Sequence, residues 1–524
     1  MRKTVILKGN WLAEVIFYKV YSLWDMQGII ALRSILLLLS LFFVFLTIKK
    51  QYLSDLLSLI ILVGVFLVAR KFPGERPQLF TFLFFAIIYF LLEDYGRRRT
   101  KRVFLIPVLV MVLSNMHPGY IVCILLITIY TVSEGVLFFF SGNRKDSIFR
   151  GMLIIWCLTI LLSMLNPTGM TMLKSLSSIH DDTQGIVEFM PTFSLAARNV
   201  VLIDYSYIAF LLFSLLILRY FKKVGLTRML LLITFTIMSF VSMRYIIFYM
   251  IASAPILAGI IVNMKDEKVF DGLYGFLKTK EGFLYLLACF FGIFLVFNVI
   301  PSFARQKYKV DINSSVPEGA ADFLKKENLR GNIFNEYGFG GYLIWRLYPD
   351  KKVFIDGRML EENVFADYQI VVFAVESPEE SWKNMIEKYD ISCIIMRPLW
   401  PHGGIYPLVE KLFDSEEWAL VYNDHLSLIF LRNDIGNSPV IKKFAIEKKE
   451  GLKTIIIQAS DRALRNPANP YFPITLGKVF IKLERFDDAE AAFKMAHEKD
   501  PDNEELRFWM QKLKDKRKSD VKVE

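Results

Sequence analysis

The sequence predicts an α-helical polytopic membrane domain of about ten transmembrane helices, followed by a small extracytoplasmic α/β domain and a C-terminal α-helical tetratricopeptide-like segment. Three observations predict it. Apolar residues make up 54% of the 524 and the mean hydropathy is +0.39, well above a soluble globular average. Long apolar runs recur up to Pro301, and strand-helix alternation with charged linkers replaces them afterwards. Finally, residues 470–503 carry a 34-residue packing pattern.

The first element, residues 1–26, reads as an interfacial helix at the end of an outer loop, because Trp11 to Tyr21 is aromatic and amphipathic without reaching span length. Runs long enough to cross roughly 30 Å of hydrocarbon follow at 27–48, 51–69, 78–95, 119–140, 203–219, 245–263 and 281–300. Shorter runs at 103–116, 151–165 and 229–242 are decided by charge. If all ten cross, one set of connectors holds eighteen Lys and Arg and the other only six. Basic connectors stay cytoplasmic, so the transmembrane domain spans 27–301 and the chain after it lies outside. The chain is expected in the cell membrane, multi-pass, with the lipid bilayer as its first partner. The net charge of +11 sits mostly in these connectors and orients spans, so no nucleic-acid partner is implied. Four cysteines fall in apolar or strand-like runs and give no disulfide or metal spacing.

Arg2, Lys3 and Lys8 then lie on the outer side, against the rule that orients the rest. A lost upstream span explains them, and so does an interfacial helix on a short N-terminus.

Residues 302–435 read as the α/β domain. VPEGAADFLKKENL is a helix; GNIFN, KKVFIDGR, ISCIIM and the pair WALVYND and HLSLIFLRN are strands, with helices near 340–347, 378–389 and 403–414. Gly338, Gly340 and Gly341 between a strand and a helix make either a phosphate-cradling turn or a close packing contact. Asp356 and Arg358 end a strand at a sheet edge, where they bind a ligand or pair with one another. In 450–518, Leu476, Gly477, Phe480, Ala489, Phe493, Ala496 and Pro501 occupy the small and large positions of a tetratricopeptide repeat. Such helices form a groove for a protein partner, or pack onto the α/β domain.

Ionisable groups near the outer boundary are few and are functional candidates for that reason. Asn115 and His117 close one short span, Glu75 and Arg76 sit in a short outer loop, and Arg244 lies at another boundary. Asp181, Asp182 and Glu188 occupy the longest outer loop. Asp181 with Asp182 suits a divalent cation such as Mg2+ or Mn2+, and an acid such as Asp182 or Glu188 suits deprotonation of an acceptor. Arg244 suits a phosphate or diphosphate.

The order NWLAEVIFY, ERPQLFTFLFFA, NMHPGY, NPTG, IVEFMPT, MRYIIF, GGYLIW and KVFIDGR resembles the GT-C glycosyltransferases, several of whose relatives end in tetratricopeptide repeats. The resemblance implies transfer of a sugar from a polyprenyl-phosphate donor to a lipid, glycan or protein acceptor outside the membrane. For such a transfer the residues read above supply Asp182 or Glu188 as base or metal ligand, Arg244 on the departing phosphate, His117 to orient either partner, and Asn115 and Arg76 on the substrate. That family also carries an acidic pair in the first outer loop, which is absent here; Glu14 is the nearest acid. A non-catalytic membrane scaffold, recruiting partners through its outer domains, is the alternative that this departure favours.

Overall fold

The computed structural model describes residues 10–70, 76–140, 148–167, 169, 191–193, 205–266, 316–327, 329, 331–357, 362–377 and 381–520. The chain divides into two compact units, Met1–Lys307 and Tyr308–Glu524.

The regular secondary structure described in the first unit is all helical. Helix α1 (Trp11–Lys49) joins the expected interfacial helix to the first span, and the joint is visible: Asp25 has φ 53° and ψ −154°, outside helical values. A short polar side chain tolerates positive φ better than a branched one, which suits Asp at this break. Then come α2 (Asp55–Ala69), α3 (Gln78–Arg98), α4 (Ile106–Ser114), α5 (Tyr120–Phe140) and α6 (Phe149–Ser163). Further along the chain follow α7 (Tyr205–Ser214), α8 (Ile217–Val224), α9 (Leu226–Val241) and α10 (Ile246–Asp266). Among the described residues, four stretches are long and apolar enough to cross a membrane: Trp11–Lys49, Gln78–Arg98, Tyr120–Phe140 and Met243–Met264. Of the other apolar runs, α2 and α4 are shorter helices than the sequence suggests, whereas α6 has the expected length and α9 is slightly longer. Nine residues of α4 rise only about 13.5 Å, far less than a bilayer core. The run 203–219 splits into α7 and α8, and 281–300 lies outside the described residues.

Apolar side chains fill this bundle because α3 and α10 are apolar on nearly every face. Phe85 makes edge-to-face contacts with Phe235 at 5.4 Å and Phe248 at 5.2 Å between ring centroids. Such pairs add about 1 kcal/mol to the burial itself.

The second unit opens with α11 (Glu318–Lys326) and carries a four-stranded sheet of β1 (Asn332–Asn335), β2 (Ile391–Met396), β3 (Trp418–Asn423) and β4 (Leu428–Arg432) in the order β1-β2-β4-β3. β1 and β2 are parallel, with Phe334 opposite Ile394; β4 is antiparallel to both β2 and β3. Helices α12 (Gly340–Leu347), α14 (Trp382–Lys388) and α15 (Pro407–Phe413) match the expected ones, whereas α13 (Glu362–Val372) has no counterpart in the sequence reading.

KKVFIDGR is not a strand. Its ladder is replaced by one side chain: Phe354 N–H and Ile355 N–H donate to Asn335 Oδ1 at 2.9 and 3.3 Å, and Asn335 Nδ2 donates to Ile355 O at 2.9 Å. This segment thus lies beside β1, held by one side chain, without joining the sheet.

The C-terminal helices are α16 (Ser438–Phe444), α17 (Lys448–Arg465), α18 (Tyr471–Lys482), α19 (Phe486–Lys499) and α20 (Glu504–Asp520). The expected small-large pair is present as Gly477 beneath the Phe493 ring. These helices do not stand apart from the sheet. Leu452, Ile455, Ala459, Leu476 and Val479 belong to the same buried cluster as Ile394, Phe430 and Leu408. Packing onto the α/β layer is therefore what the inner faces of α17 and α18 do.

Candidate functional site

Two polar clusters form within the first unit, and the helix ends account for both. At one end of α3, Thr81 meets the connector between α4 and α5. Gly119 N–H donates to His117 Nδ1 at 3.0 Å, and Thr81 Oγ1 lies 2.8 Å from the same nitrogen. A ring nitrogen that accepts from a backbone amide carries no proton, so the neutral His117 holds its hydrogen on Nε2 and the Thr81 hydroxyl donates. The contact requires glycine: a Cβ on Gly119 would fall 2.7 Å from both His117 Nδ1 and Thr81 Oγ1.

His117 stays neutral for two reasons. Burial disfavours the imidazolium, and the Arg244 charge disfavours it further; together they hold its pKa down to about 3. NMHPGY and SMRYIIF, more than a hundred residues apart in the chain, thus meet as a neutral donor beside a cation. His117 is consequently no base at neutral pH. What it offers is a fixed N–H.

Asn115 is occupied by the protein. Trp11 Nε1 donates to Asn115 Oδ1 at 2.9 Å, and Asn115 Nδ2 donates to Met111 O at 3.0 Å and Leu165 O at 2.9 Å. Its carbonyl accepts from Leu12 N–H at 3.1 Å. One side chain thereby ties the start of α1 to α4 and to the end of α6, which is a bracing role. Arg76 is exposed just ahead of α3, its carbonyl accepting from Leu79 N–H at 3.2 Å. Asp181, Asp182, Glu188, Glu75 and Arg358 lie outside the described residues. Among the described residues no group of three or more His, Cys, Asp or Glu is placed to hold a metal ion.

The other cluster went unread in the sequence. Glu93 and Asp94 close the far end of α3 and are buried. Glu93 Oε1 accepts from Tyr130 OH at 2.6 Å; Glu93 Oε2 accepts from Arg228 Nη2 and Gln51 Nε2, each at 3.2 Å. Arg97 Nη2 donates to Gln51 Oε1 at 2.9 Å, while Asp94 pairs with Lys50 and accepts from Thr100 Oγ1 at 2.7 Å. Cations from three basic connectors thus converge on two acids. Two adjacent carboxylates at the end of an apolar run were the available signal.

In the second unit Gly340 is a packing contact, whereas a Cβ on Gly341 would meet nothing within 4 Å. A Cβ on Gly340 would lie 2.0 Å from Ile355 O and 2.7 Å from Asp356 Cα, so backbone occupies the space a phosphate would need. Asp356 is half-buried at that crossing.

No protein-family model matches this chain, and no curated protein matches it.

Proposed function

We propose that the chain is a membrane-embedded glycosyltransferase of the GT-C kind, moving a sugar from a polyprenyl-phosphate donor to an acceptor on the extracytoplasmic side. The observation that carries the reading is the neutral His117 beside Arg244 at the boundary end of α3. Departure of a lipid phosphate leaves an anion, and a cation with a preorganised N–H donor stabilises developing negative charge. His117 Nε2–H and Arg244 take that role, and an acid of the long loop, Asp182 or Glu188, takes the acceptor proton, with Asp181 and Asp182 as the pair for a divalent cation. Sidedness supports this. His117, Asn115 and Arg244 belong to the sparsely charged connectors and meet Thr81 at the start of α3, whereas Lys50, Arg97 and Arg228 belong to the basic ones and gather at the other end of α3. Ten crossings, a C-terminal half outside the cell and a tetratricopeptide character of α18 and α19 complete the proposal.

The test is turnover of a radiolabelled polyprenyl-phosphate sugar by the full chain in proteoliposomes. Arg244→Gln and His117→Ala are expected to lower kcat at least a hundredfold, the scale for a lost transition-state donor, with little change in KM. Full turnover by both variants would overturn the assignment. Absent turnover in the folded wild type would favour the scaffold reading, which draws support from the exposed Ile457 and Phe508 on the C-terminal helices.

A further inference from the structure

The second unit is layered, because successive strand residues point to opposite sides of the sheet. Ile333, Cys393, Ile395 and Ile429 pack with α11, α12 and α16; Phe334, Ile394 and Phe430 pack with α13, α14, α15, α17 and α18. On the first side, α12 buries Gly340, Leu343 and Leu347 and turns a second stripe outward: Gly341, Trp345 and, directly past the helix end, Tyr348. Trp345 is 59% and Tyr348 75% exposed. Among the described residues of the second unit every other tryptophan and tyrosine is buried or half-buried.

Three observations define the partner. Trp and Tyr are the side chains that favour the boundary between hydrocarbon and water, each joining an apolar ring to a polar N–H or O–H. The charges beside the stripe balance: Arg346, Lys351 and Lys352 stand against Glu318, Asp322 and Asp350, and Arg346 already pairs with Glu318 and Asp322. No excess charge selects a charged partner. The area is also small. A Trp or Tyr buries about 150–250 Å² when fully covered, so the two exposed rings offer about 300 Å², against roughly 800 Å² per partner for a stable protein interface.

So small a surface is effective where a tether keeps its partner at hand. Residues 301–315 link the last apolar run of the sequence to the start of α11, and a chain of that length reaches about 50 Å at most. A bilayer holding that run is therefore always close to α11, and α12 packs directly on α11 through the Arg346 pairs.

We propose that α12 rests on the bilayer, with Trp345 and Tyr348 entering the boundary between headgroups and acyl chains and the opposite side of the sheet, with the C-terminal helices, turned to water. The proposal needs only that the chain is held in a membrane; it is independent of sugar transfer and of which side of the membrane carries the second unit.

Gly341 supplies the probe position, since a side chain there meets nothing within 4 Å. The full chain, its four native cysteines changed to alanine, carries a nitroxide on Gly341→Cys or, as reference, on Lys514→Cys, an exposed position of α20, in nanodiscs holding one chain each. Oxygen concentrates in lipid and a nickel chelate in water, so the ratio of their collision rates is expected to be about threefold or more higher at 341 than at 514. Trp345→Ser with Tyr348→Ser should bring it down to the reference. Hydroxyl-radical footprinting needs no substitution: in wild-type discs Trp345 should be oxidised several-fold less than Phe508, which is 61% exposed on α20, after correction for ring reactivity. The proposal is overturned if 341 and 514 give one ratio, if the double variant keeps the wild-type ratio, or if Trp345 is oxidised as fast as Phe508. Protection that appears only in discs holding two chains would assign the stripe to a second copy and overturn it as well.

Discussion

Asn335→Ala would expose how much of the second unit hangs on one amide. Asn335 is fully buried and makes four hydrogen bonds: it accepts from Phe354 N–H and Ile355 N–H and donates to Ile355 O and Glu336 O, the last at 2.9 Å. Alanine removes every partner at once and leaves the polar backbone of Ile355, itself buried, without replacement. A stranded buried group costs about 1 to 3 kcal/mol. Taking the two groups of Ile355 as stranded and the others as rescued by water, the local loss is about 2 to 6 kcal/mol. At 1.4 kcal/mol per factor of ten this is a drop of at least roughly thirtyfold in amide protection over 351–357. Hydrogen exchange read by mass spectrometry on the full chain measures it, with β4 as the internal reference. Asn335→Asp keeps the acceptor, loses both donors and buries a charge, so its effect should be at least as large. A change below tenfold in Asn335→Ala, or one equal in β4, would refute the view that this side chain substitutes for a strand pairing.

Two further outcomes follow from buried and half-buried charges. Glu93→Gln leaves Arg228 and Arg97 facing a neutral amide, and breaking such a buried pair costs about 3 to 5 kcal/mol. Thermal melting of the detergent-solubilised chain should fall accordingly and recover in part when Arg228→Met is added; an unchanged midpoint would show that the cluster contributes no stability. Asp367 gives a pH dependence. Burial pushes its carboxyl upward, but hydrogen bonds from Lys388 Nζ at 2.6 Å and Tyr389 OH at 2.5 Å outweigh this and hold it below its ordinary 3.8. A depressed carboxylate binds its proton more readily when unfolded, so its contribution is present above 3.8 and is lost as pH falls through the lower folded value. Melting followed from pH 6 to pH 2 should show an acid-induced decline that Asp367→Asn makes shallower; identical curves would remove Asp367 from the account.

The elements legible in the sequence are those whose local pattern and tertiary partner agree. ISCIIM is β-branched and is also an interior strand, and GGYLIW follows a strand and folds as a helix. VFID was misread because composition reports that a run will lie extended, whereas a side chain, rather than a neighbouring strand, supplies its hydrogen bonds. ENVFADYQIVV was missed for the opposite reason: Ile370, Val371 and Val372 look strand-like, yet Val371 and Val372 bury against the sheet from a helix. Of the candidate site, motif reading found His117 and Arg244 as separate boundary residues. Their proximity, and the tautomer set by Gly119, depend on packing between α3, α5 and α10 that no local pattern encodes.

The common hydrophobic cluster beneath α17 and α18 sets where this chain can be cut. Ending it near residue 435, where the last strand stops, would strip Leu452, Ile455, Leu476 and Val479 from their neighbours and leave a greasy scar across one face of the sheet. Any chimera or secreted fragment built from the second unit must therefore carry its final helices along, because the natural seam of this protein lies before residue 316 and not after 432.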